Sequence, residues 1–596
     1  MSGGFAPDLA RSYGEAKTST RLLAGRSLVE LRNPHLKEGT TLALPKTVRA
    51  VTAGIAALTL ASVLAGCGGG TNATTAADAT GTPVTGGTLV YLEQQAHTNL
   101  YPPAGGFYPN GGILNQITDK LTYQDPETLK IEPWLAESWT SNPQLTEYTF
   151  KLRSGVTFSD GTPVDAAAVA RNFDTYGLGN KGLNQPVSEV INNYDHSEVI
   201  DPLTVKFHFK KSSPGFLQGT ATIGSGIVSV STLDRKFDDL GNAKNIIGSG
   251  PFTVASEVLG KEVVLNARAD YNWGPKTAEH QGRAYLDTVK IVVTPEDSVR
   301  TGSLLAGQGD LIRQVQAYDE KQVAAKDYKL FAPGTRGVND SIVFRPDNAL
   351  VSDVRVRQAL LRATDTKEVV ETIFSENYPA ATSVLAKEAT GYVDLSAKLG
   401  HDPEKAKALL DEAGWRVGPD GIRSKDGAQL SLTIYESLPQ PQNKAVLQLV
   451  AQQWEKVGVK LNVLAGDSGS KTVDNLDPEK TPVAVAMVGR ADPDVIKSQF
   501  YPKNRDALLQ KGGSSQKVKS FVDEKLNTLL ETETARTDPE QRLKDVADIQ
   551  NHLIDQALVI PIFEEPQVFA AAPYLQGLAF EAVGRPSLYG VWLAKH

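Results

Sequence analysis

Cysteine and methionine are scarce in this sequence. Its 596 residues include one cysteine, Cys67, and two methionines. A lone cysteine excludes an intramolecular disulfide and any zinc site that needs two thiolates. The eight histidines are scattered along the chain, and no two have the close spacing of a helical metal-binding pair. The composition therefore predicts no metal site and no other cofactor.

Catalytic motifs are also lacking. Residues 466–469, Gly-Asp-Ser-Gly, copy the string around the nucleophile of chymotrypsin-like proteases, but Ser470 follows instead of glycine. None of that family's other motifs is present. Residues 469–472 do not form a phosphate-binding loop, because the glycine that should precede Lys471 is missing. We therefore expect a protein that is not an enzyme.

Net charge and length bear on which partners the protein binds and on how many lobes it has. The formal net charge is −8, and the first 66 residues hold eight Lys or Arg against four Asp or Glu, so the remainder carries −12. A chain this acidic is a poor candidate for coating nucleic acid or anionic lipid. Its length exceeds what one hydrophobic core supports, so at least two lobes are expected.

The N-terminal region has the pattern of an export signal. Lys46 and Arg49 precede an apolar run over residues 50–65, which is short for a membrane span. The run ends in Leu64-Ala65-Gly66-Cys67, which resembles the bacterial lipobox, where the cysteine is lipidated. Residues 1–66 are predicted to be an extension with a signal peptide, and the small, polar residues 67–85 a flexible tether. The alternative is a transmembrane helix with a buried cysteine.

Strand and helix patterns alternate along the rest of the chain. Asp165 is placed to cap a helix that opens with three alanines, and Asp402-Pro403 begins another that Gly414 ends. This alternation predicts an α/β fold. The other predicted elements are an amphipathic helix over 443–457 and strands over 87–92, 147–152, 203–209 and 459–464.

One long stretch carries a family resemblance. Residues 134–174 read WLAESWTSNPQLTEYTFKLRSGVTFSDGTPVDAAAVARNFD. This resembles the signature of the bacterial extracellular solute-binding proteins of family 5, the peptide, nickel and opine class. Further motifs of the class follow in the same order, at residues 247–252, 270–274, 353–360 and 492–494.

The resemblance implies a two-lobed, Venus-flytrap α/β fold with an extra subdomain and a discontinuous first lobe. It also implies that lobe closure captures a small ligand, which the permease and ATPase of an ABC importer then receive. We expect a monomer, anchored by Cys67 to the outer face of the cell membrane, that binds no nucleic acid. The implied division is lobe I over 86–120, 230–337 and 560–596, the subdomain over 121–229, and lobe II over 338–559.

The loop before Asp492-Pro493 departs from the family pattern. In peptide-binding members, an aspartate three residues before this pair holds the α-ammonium of the peptide. Gly489 stands at that position, Met487 or its neighbour replaces a common aromatic residue, and Arg490 follows. A guanidinium suits an anionic group, so an anionic or amine-blocked amino-acid derivative is a candidate ligand. The alternative is that Arg490 pairs with Asp492 or Asp494, which are expected to cap the next helix.

Other candidate ligand contacts come from three regions. The loop after the first strand and the C-terminal return meet the cleft in relatives, and the third region lies near the expected lobe crossing. The loop after the first strand supplies Glu93, Gln94, His97 and Tyr108, although His97 could be a surface residue instead. The remaining candidates, from the expected lobe crossing and the C-terminal return, are Arg336, Asn339 and Arg585, the first two of which could be hinge residues.

A rival function keeps the same fold. A lipid-anchored receptor that signals ligand occupancy to a sensor, or a chaperone for unfolded chains, would have the same two hinged lobes. The sequence does not separate these functions from import, and it does not identify the ligand.

Overall fold

The computed structural model describes residues 81–436, 442–465, 474, 477–501 and 521–594. The predicted signal peptide, Cys67, most of the tether and residues 466–472 lie outside these ranges. No helix in the described ranges has the length and apolar character needed to cross a bilayer.

A seven-stranded mixed sheet organises one half of the molecule. Its strand Thr88–Glu93 pairs in parallel with Thr288–Val293 and with Leu311–Arg313. Side chains alternate across a strand, so Leu89 and Tyr91 enter one hydrophobic core while Leu92 enters another. In spatial order the strands are Lys329–Phe331, Phe569–Ala571, Leu311–Arg313, Thr88–Glu93, Thr288–Val293, Glu262–Ala267 and Phe252–Val258.

A four-stranded antiparallel sheet forms within residues 136–209. The helix Ala166–Leu178 packs on it, and the rings of Phe173 and Phe207 lie 4.5 Å apart between centroids. Asp165 caps this helix as predicted, because its Oδ1 accepts a hydrogen bond from Ala168 N at 2.8 Å. The strands, in spatial order, are Ala136–Ser141, Glu147–Leu152, Thr204–Phe209 and Tyr194–Asp201.

The second half of the molecule is built around a three-stranded antiparallel sheet, Val483–Gly489, Gly337–Phe344 and Val559–Phe563. Beside it lie the parallel pair Ser431–Tyr435 and Lys460–Leu464 and a small sheet of Arg416–Val417, Arg423–Lys425 and Ala428–Gln429. Its helices are Val354–Ala363, Thr366–Ile373, Pro403–Glu412, Asn443–Glu455, Val495–Phe500, Glu524–Ala535 and Pro539–Asp555.

The remaining elements are short. The other α-helices are Tyr108–Ile117, Phe216–Gly219, Val230–Leu233, Asp297–Leu305 and Ala317–Ala324. Three two-stranded pairs join Thr122–Gln124 to Ile131–Pro133, Leu575–Gln576 to Trp592–Leu593, and Ala579–Phe580 to Pro586–Ser587. Single 3-10 turns occur at Pro102–Ala104, Lys181–Leu183, Ile223–Ser225, Phe237–Gly241, Ala243–Asn245 and Ser396–Lys398.

Buried apolar side chains of the described residues form two large clusters. One draws mainly on residues 89–311 and again on 569–593, and the other on residues 304–570. The chain therefore returns to its first core only near its end. The lobe boundary expected at residue 560 falls inside the strand Val559–Phe563, which pairs with Gly337–Phe344.

Candidate functional site

A cavity of about 690 Å³ lies where several distant parts of the chain meet. Its lining comes from stretches within residues 83–134, 188–224, 251–285, 488–490 and 577–592. A volume in this range is typical of sites for small organic ligands. The wall therefore combines residues from the region of the first core, from the four-stranded-sheet region and from the strand Val483–Gly489 of the second half.

Three charged residues form a cluster in this wall. Glu581 lies between two cations: its Oε1 accepts from Arg585 Nη1 at 2.9 Å, and its Oε2 lies 3.6 Å from Lys120 Nζ. Lys120 Nζ also donates to Asn115 Oδ1 at 2.5 Å. Burial lowers the pKa of Lys120, against the opposing effect of Glu581.

Arg585 is fixed from several sides. Its Nη2 donates to the carbonyl oxygen of Gly106 at 2.9 Å, and its guanidinium carbon lies 4.9 Å from the centroid of the Tyr108 ring. Gly111 packs directly against its Nε and Cδ, where a Cβ atom would clash. The orientation of Arg585 is therefore set by contacts with the helix Tyr108–Ile117 and the turn before it.

Aromatic side chains line much of the same cavity. Trp134 stands edge-on to Tyr123, with ring centroids 6.3 Å apart, and the ammonium of Lys120 lies 5.4 Å from the Trp134 centroid. Tyr271 and Tyr589 form a second edge-to-face pair at 5.2 Å. Rings offer a ligand large contact areas at low entropic cost, and the lysine adds a cation beside one of them.

Arg490 lines the cavity, as do its neighbours Val488 and Gly489. The guanidinium of Arg490 is 6% exposed, donates from Nη1 to Asp494 Oδ1 at 3.0 Å and lies 3.7 Å from Glu189 Oε2. Burial alone would lower its pKa, but the charges of Asp494 and Glu189 outweigh burial and raise it. The alternative pairing with Asp494 is thus present, and the role of Arg490 towards an anion stays a prediction.

The two aspartates of this loop act differently from the capping expected for them. Asp494 occupies the N-cap position of Val495–Phe500 without a side-chain capping hydrogen bond. Asp492 accepts from the backbone N of Asp494 at 2.9 Å and forms an ion pair with Arg542, whose Nη2 lies 2.6 Å from Oδ1. Arg542 also donates from Nε to Glu533 at 2.7 Å. The capping prediction is wrong because these buried cations occupy the carboxylates.

Gly489 meets its neighbours closely. A Cβ atom on Gly489 would lie 2.9 Å from the carbonyl oxygen of Thr335 and 3.7 Å from the hydroxyl of Tyr108. Gly489 pairs with Gly337 on the neighbouring strand, and this register sets its short distance to Thr335. Met487 is half-buried two residues earlier in the same strand and is not part of the cavity lining.

Glu93, Gln94 and His97 lie outside the lining of this cavity. Glu93 is buried and bound by Arg313, and the backbone N of Gln94 donates to Glu93 Oε1 at 2.8 Å. His97 Nε2 lies 3.0 Å from Glu257 Oε1, and the His97 side chain is buried. Their expected contact with a ligand stays a prediction.

The other predicted contacts lie beside the cavity rather than on it. Tyr108 donates its hydroxyl to the carbonyl oxygen of Val583 at 2.5 Å, and burial raises its pKa. Arg336 has a backbone φ of 35°. Its Nη2 lies 3.0 Å from Glu388 Oε2, and its Nη1 donates to the carbonyl oxygen of Ala582 at 3.0 Å. Asn339 is buried and donates to the carbonyl oxygen of Ser383 at 2.9 Å. Of the ten predicted ligand contacts, Gly489, Arg490 and Arg585 line the cavity.

Sequence reasoning did not identify Lys120, Trp134, Glu189 or Glu581 as candidate cavity residues. Trp134 is 8% exposed, so it is buried and still lines the cavity. Lys120 did carry one signal, since it lies three positions after the helix Tyr108–Ile117, whose residues are mostly buried, and directly after Asp119. No local pattern links it to Glu581, which is 461 positions away.

The described residues contain no group of three or more His, Cys, Asp or Glu side chains arranged to hold a metal ion. What the cavity offers is a set of aromatic faces, a buried ammonium and two guanidinium groups. Such a wall suits reversible binding of an organic molecule.

Comparison with known proteins agrees with this architecture. Residues 130–506 match the model of the bacterial extracellular solute-binding proteins, family 5 middle part. Heme-binding protein A of Haemophilus influenzae is 26% identical over 502 residues, which cover 80% of this chain and 86% of that protein. The glutathione-binding protein GsiB of Salmonella paratyphi A is 25% identical over 491 residues, covering 79% of this chain and 88% of the relative.

A solved structure supports the fold. The oligopeptide-binding protein AppA of Bacillus subtilis, in complex with a nonapeptide, superposes with a TM-score of 0.72 at 22% identity. The match covers 86% of this chain and 100% of AppA. The predicted α/β fold of the two-lobed periplasmic-binding type is confirmed. This chain belongs to the bacterial extracellular solute-binding proteins of family 5.

Proposed function

We propose that this protein captures a small organic ligand in the cavity of about 690 Å³ and delivers it to the permease and ATPase of an ABC importer. The observation that carries the proposal is the composition of the cavity wall. Residues of the first half, such as Tyr271, and Arg490 of the second half line the same cavity. Movement of one half relative to the other would open this space, and a ligand that contacts both would favour the closed state.

The ligand class we favour is a peptide-like molecule or an anionic amino-acid derivative. Relatives are named for binding haem and glutathione, and AppA holds a nonapeptide, so the family accommodates chemically different cargo. Two features of this chain support an anionic group over a free amine. Gly489 provides no carboxylate for an ammonium, and three buried cations, Lys120, Arg490 and Arg585, lie in the wall.

We further propose that Cys67 carries the lipid anchor and that the binding domain stands outside the cell membrane. The lipobox-like string and the small, polar residues after it support this arrangement. The tether would let the domain reach a membrane-embedded permease while it stays attached.

The experiment starts with the ligand that co-purifies with the protein. The purified wild type is denatured, and the released small molecules are identified by mass spectrometry. Binding of the identified compound should raise the melting temperature, because it binds the folded form, and should reduce the radius of gyration measured by small-angle X-ray scattering. A compound that binds tightly and changes neither quantity would contradict capture by closure.

A matched pair of variants tests the cavity itself. Ala579 is an exposed residue in a two-residue strand and lines the cavity, whereas Ala428 is an exposed residue in a two-residue strand elsewhere. Ala579→Trp should fill part of the cavity and abolish retention of the co-purifying compound. Ala428→Trp should retain it. Equal retention by both variants would place the ligand site elsewhere.

A further inference from the structure

The three cations of the cavity wall differ in how many carboxylates neutralise them. Arg490 is bound by Asp494 at 3.0 Å and also faces Glu189 at 3.7 Å. Lys120 and Arg585, in contrast, share one half-buried carboxylate, that of Glu581. Arg585 lies at hydrogen-bond distance from it, and the ammonium of Lys120 does not, at 3.6 Å.

The other carboxylate near Lys120, that of Asp119, accepts hydrogen bonds from two aromatic side chains. Asp119 precedes it in the chain, but the carboxylate accepts from Trp273 Nε1 at 2.9 Å and from the Tyr271 hydroxyl at 3.0 Å. Among the described residues, Asn115 Oδ1 accepts from Lys120 Nζ at 2.5 Å, and Glu581 Oε2 is the next acceptor, at 3.6 Å. An ammonium has three N–H donors, so Lys120 keeps donor capacity at the wall of the cavity.

Burial of the Lys120 ammonium costs free energy unless a further partner binds it. Lys120 is 3% exposed, and a charge withdrawn from water needs hydrogen bonds and opposite charge to be stable. The neutral amide of Asn115 and the salt bridge to Glu581, which is shared with Arg585, meet this need in part. An oxyanion of a ligand that reached Lys120 Nζ from the cavity would complete it.

We propose that Lys120 is the centre of an anion subsite in the cavity, which takes a carboxylate or another oxyanion of the ligand. Arg585, on the far side of Glu581, adds positive potential without direct contact. The subsite rests on the proposed function for its ligand, and it places the anion at Lys120 rather than at Arg490.

The test uses bromide, which scatters anomalously and needs no knowledge of the natural ligand. Crystals of the full-length protein are soaked in sodium bromide. The expected result is an anomalous peak within hydrogen-bond distance of Lys120 Nζ. Adding sodium acetate should displace it, whereas acetamide, which has nearly the same shape without charge, should not. No peak at Lys120, or equal displacement by acetamide, would overturn the proposal.

Variants separate a binding role from a structural one. Lys120→Met keeps the length of the side chain and leaves Glu581 bound to Arg585, so the fold should persist and the bromide peak should vanish. Lys120→Arg should restore the peak, and Lys130→Met, at an exposed lysine outside the lining, should leave it intact. A peak that survives in Lys120→Met would also overturn the proposal.

The same variants distinguish failure of the subsite from failure of the proposed function. Bromide binding tests the anion subsite without any organic ligand. The proposed function is tested separately, by comparing how much of the co-purifying compound Ala579→Trp and Ala428→Trp retain. For a retained compound with an acidic group, Lys120→Met should weaken affinity by at least about 30-fold in calorimetric titration. Unchanged affinity would assign the anion to another residue.

Discussion

Glu93 and Arg313 form a buried ion pair across two neighbouring parallel strands. Arg313 Nη2 lies 2.5 Å and Nε 2.9 Å from Glu93 Oε1, and Nη1 donates to Gln567 Oε1 at 2.8 Å. The Tyr91 hydroxyl donates to Glu93 Oε2 at 2.7 Å. The pair thus ties the first strand of the chain to its middle, and through Gln567 to its C-terminal return.

Glu93→Ala should lower stability strongly, because it leaves the Arg313 guanidinium buried without its carboxylate. The expected loss is about 3–5 kcal/mol of unfolding free energy, typical of breaking a buried pair from one side. Denaturant unfolding followed by circular dichroism measures it. Glu93→Leu with Arg313→Met should recover much of the loss, because the charge is removed from both sides. A single variant as stable as the wild type would contradict this account.

Gly489→Ala should destabilise the fold or shift the strand, because its Cβ would lie 2.9 Å from the carbonyl oxygen of Thr335. Overpacking of this kind costs about 1–3 kcal/mol. Gly106→Ala is the matched control, since Gly106 also lines the cavity and has no atom within 4 Å of an added Cβ. Differential scanning calorimetry compares the two, and equal melting temperatures would show that the strand relaxes freely.

The buried cluster around Arg542 predicts a pH dependence. Burial, with the charges of Asp492 and Asp494, raises the pKa of Glu533 from 4.5 to about 7 against the opposing charge of Arg542. Between these values the native state binds more protons than the unfolded state, so stability falls as pH rises through the window. The contribution is at most about 3 kcal/mol, and melting temperatures from pH 4.5 to 8 would show it.

Glu533→Gln isolates that contribution. The amide keeps an oxygen that can accept from Arg542 Nε and removes the titrating group. The decline in melting temperature with rising pH should therefore be shallower in this variant. Glu524→Gln, at the exposed start of the same helix, should behave as the wild type. Identical pH profiles for wild type and Glu533→Gln would locate the titration elsewhere.

Cys67→Ser should abolish lipid attachment. Cells labelled with radioactive palmitate should incorporate the label into the wild type and not into the variant. The wild type should also enter the detergent phase of a Triton X-114 partition. Labelling that persists in the variant would rule out Cys67 as the acceptor, since it is the single cysteine of the chain.

Local chemistry made several elements predictable. Asp402 caps Pro403–Glu412 by accepting from Lys405 N at 2.9 Å, and Gly414 ends that region with a φ of 89°. The amphipathic pattern over 443–457 corresponds to the helix Asn443–Glu455. In each case the signal lies within one or two helical turns, so the residues that decide the structure are neighbours in the sequence.

The cavity wall depends on long-range topology, which no local pattern encodes. Lys120 meets Glu581 because the chain returns to its first core after residue 568. Family resemblance predicted that return, and it brought Arg585 into consideration. It did not single out Lys120 or Trp134, because their significance lies in which charges and rings surround them in three dimensions.

The position of Phe569–Ala571 within the seven-stranded sheet, between Lys329–Phe331 and Leu311–Arg313, has a consequence for the order of assembly. In an exported chain, nearly all of the residues must have crossed the membrane before this strand can be inserted. Until then the two neighbouring strands expose unpaired edges, which are templates for aggregation. A chain truncated before residue 569 would keep these edges exposed, so the half of the molecule that contains this sheet should depend most on folding factors outside the cell membrane.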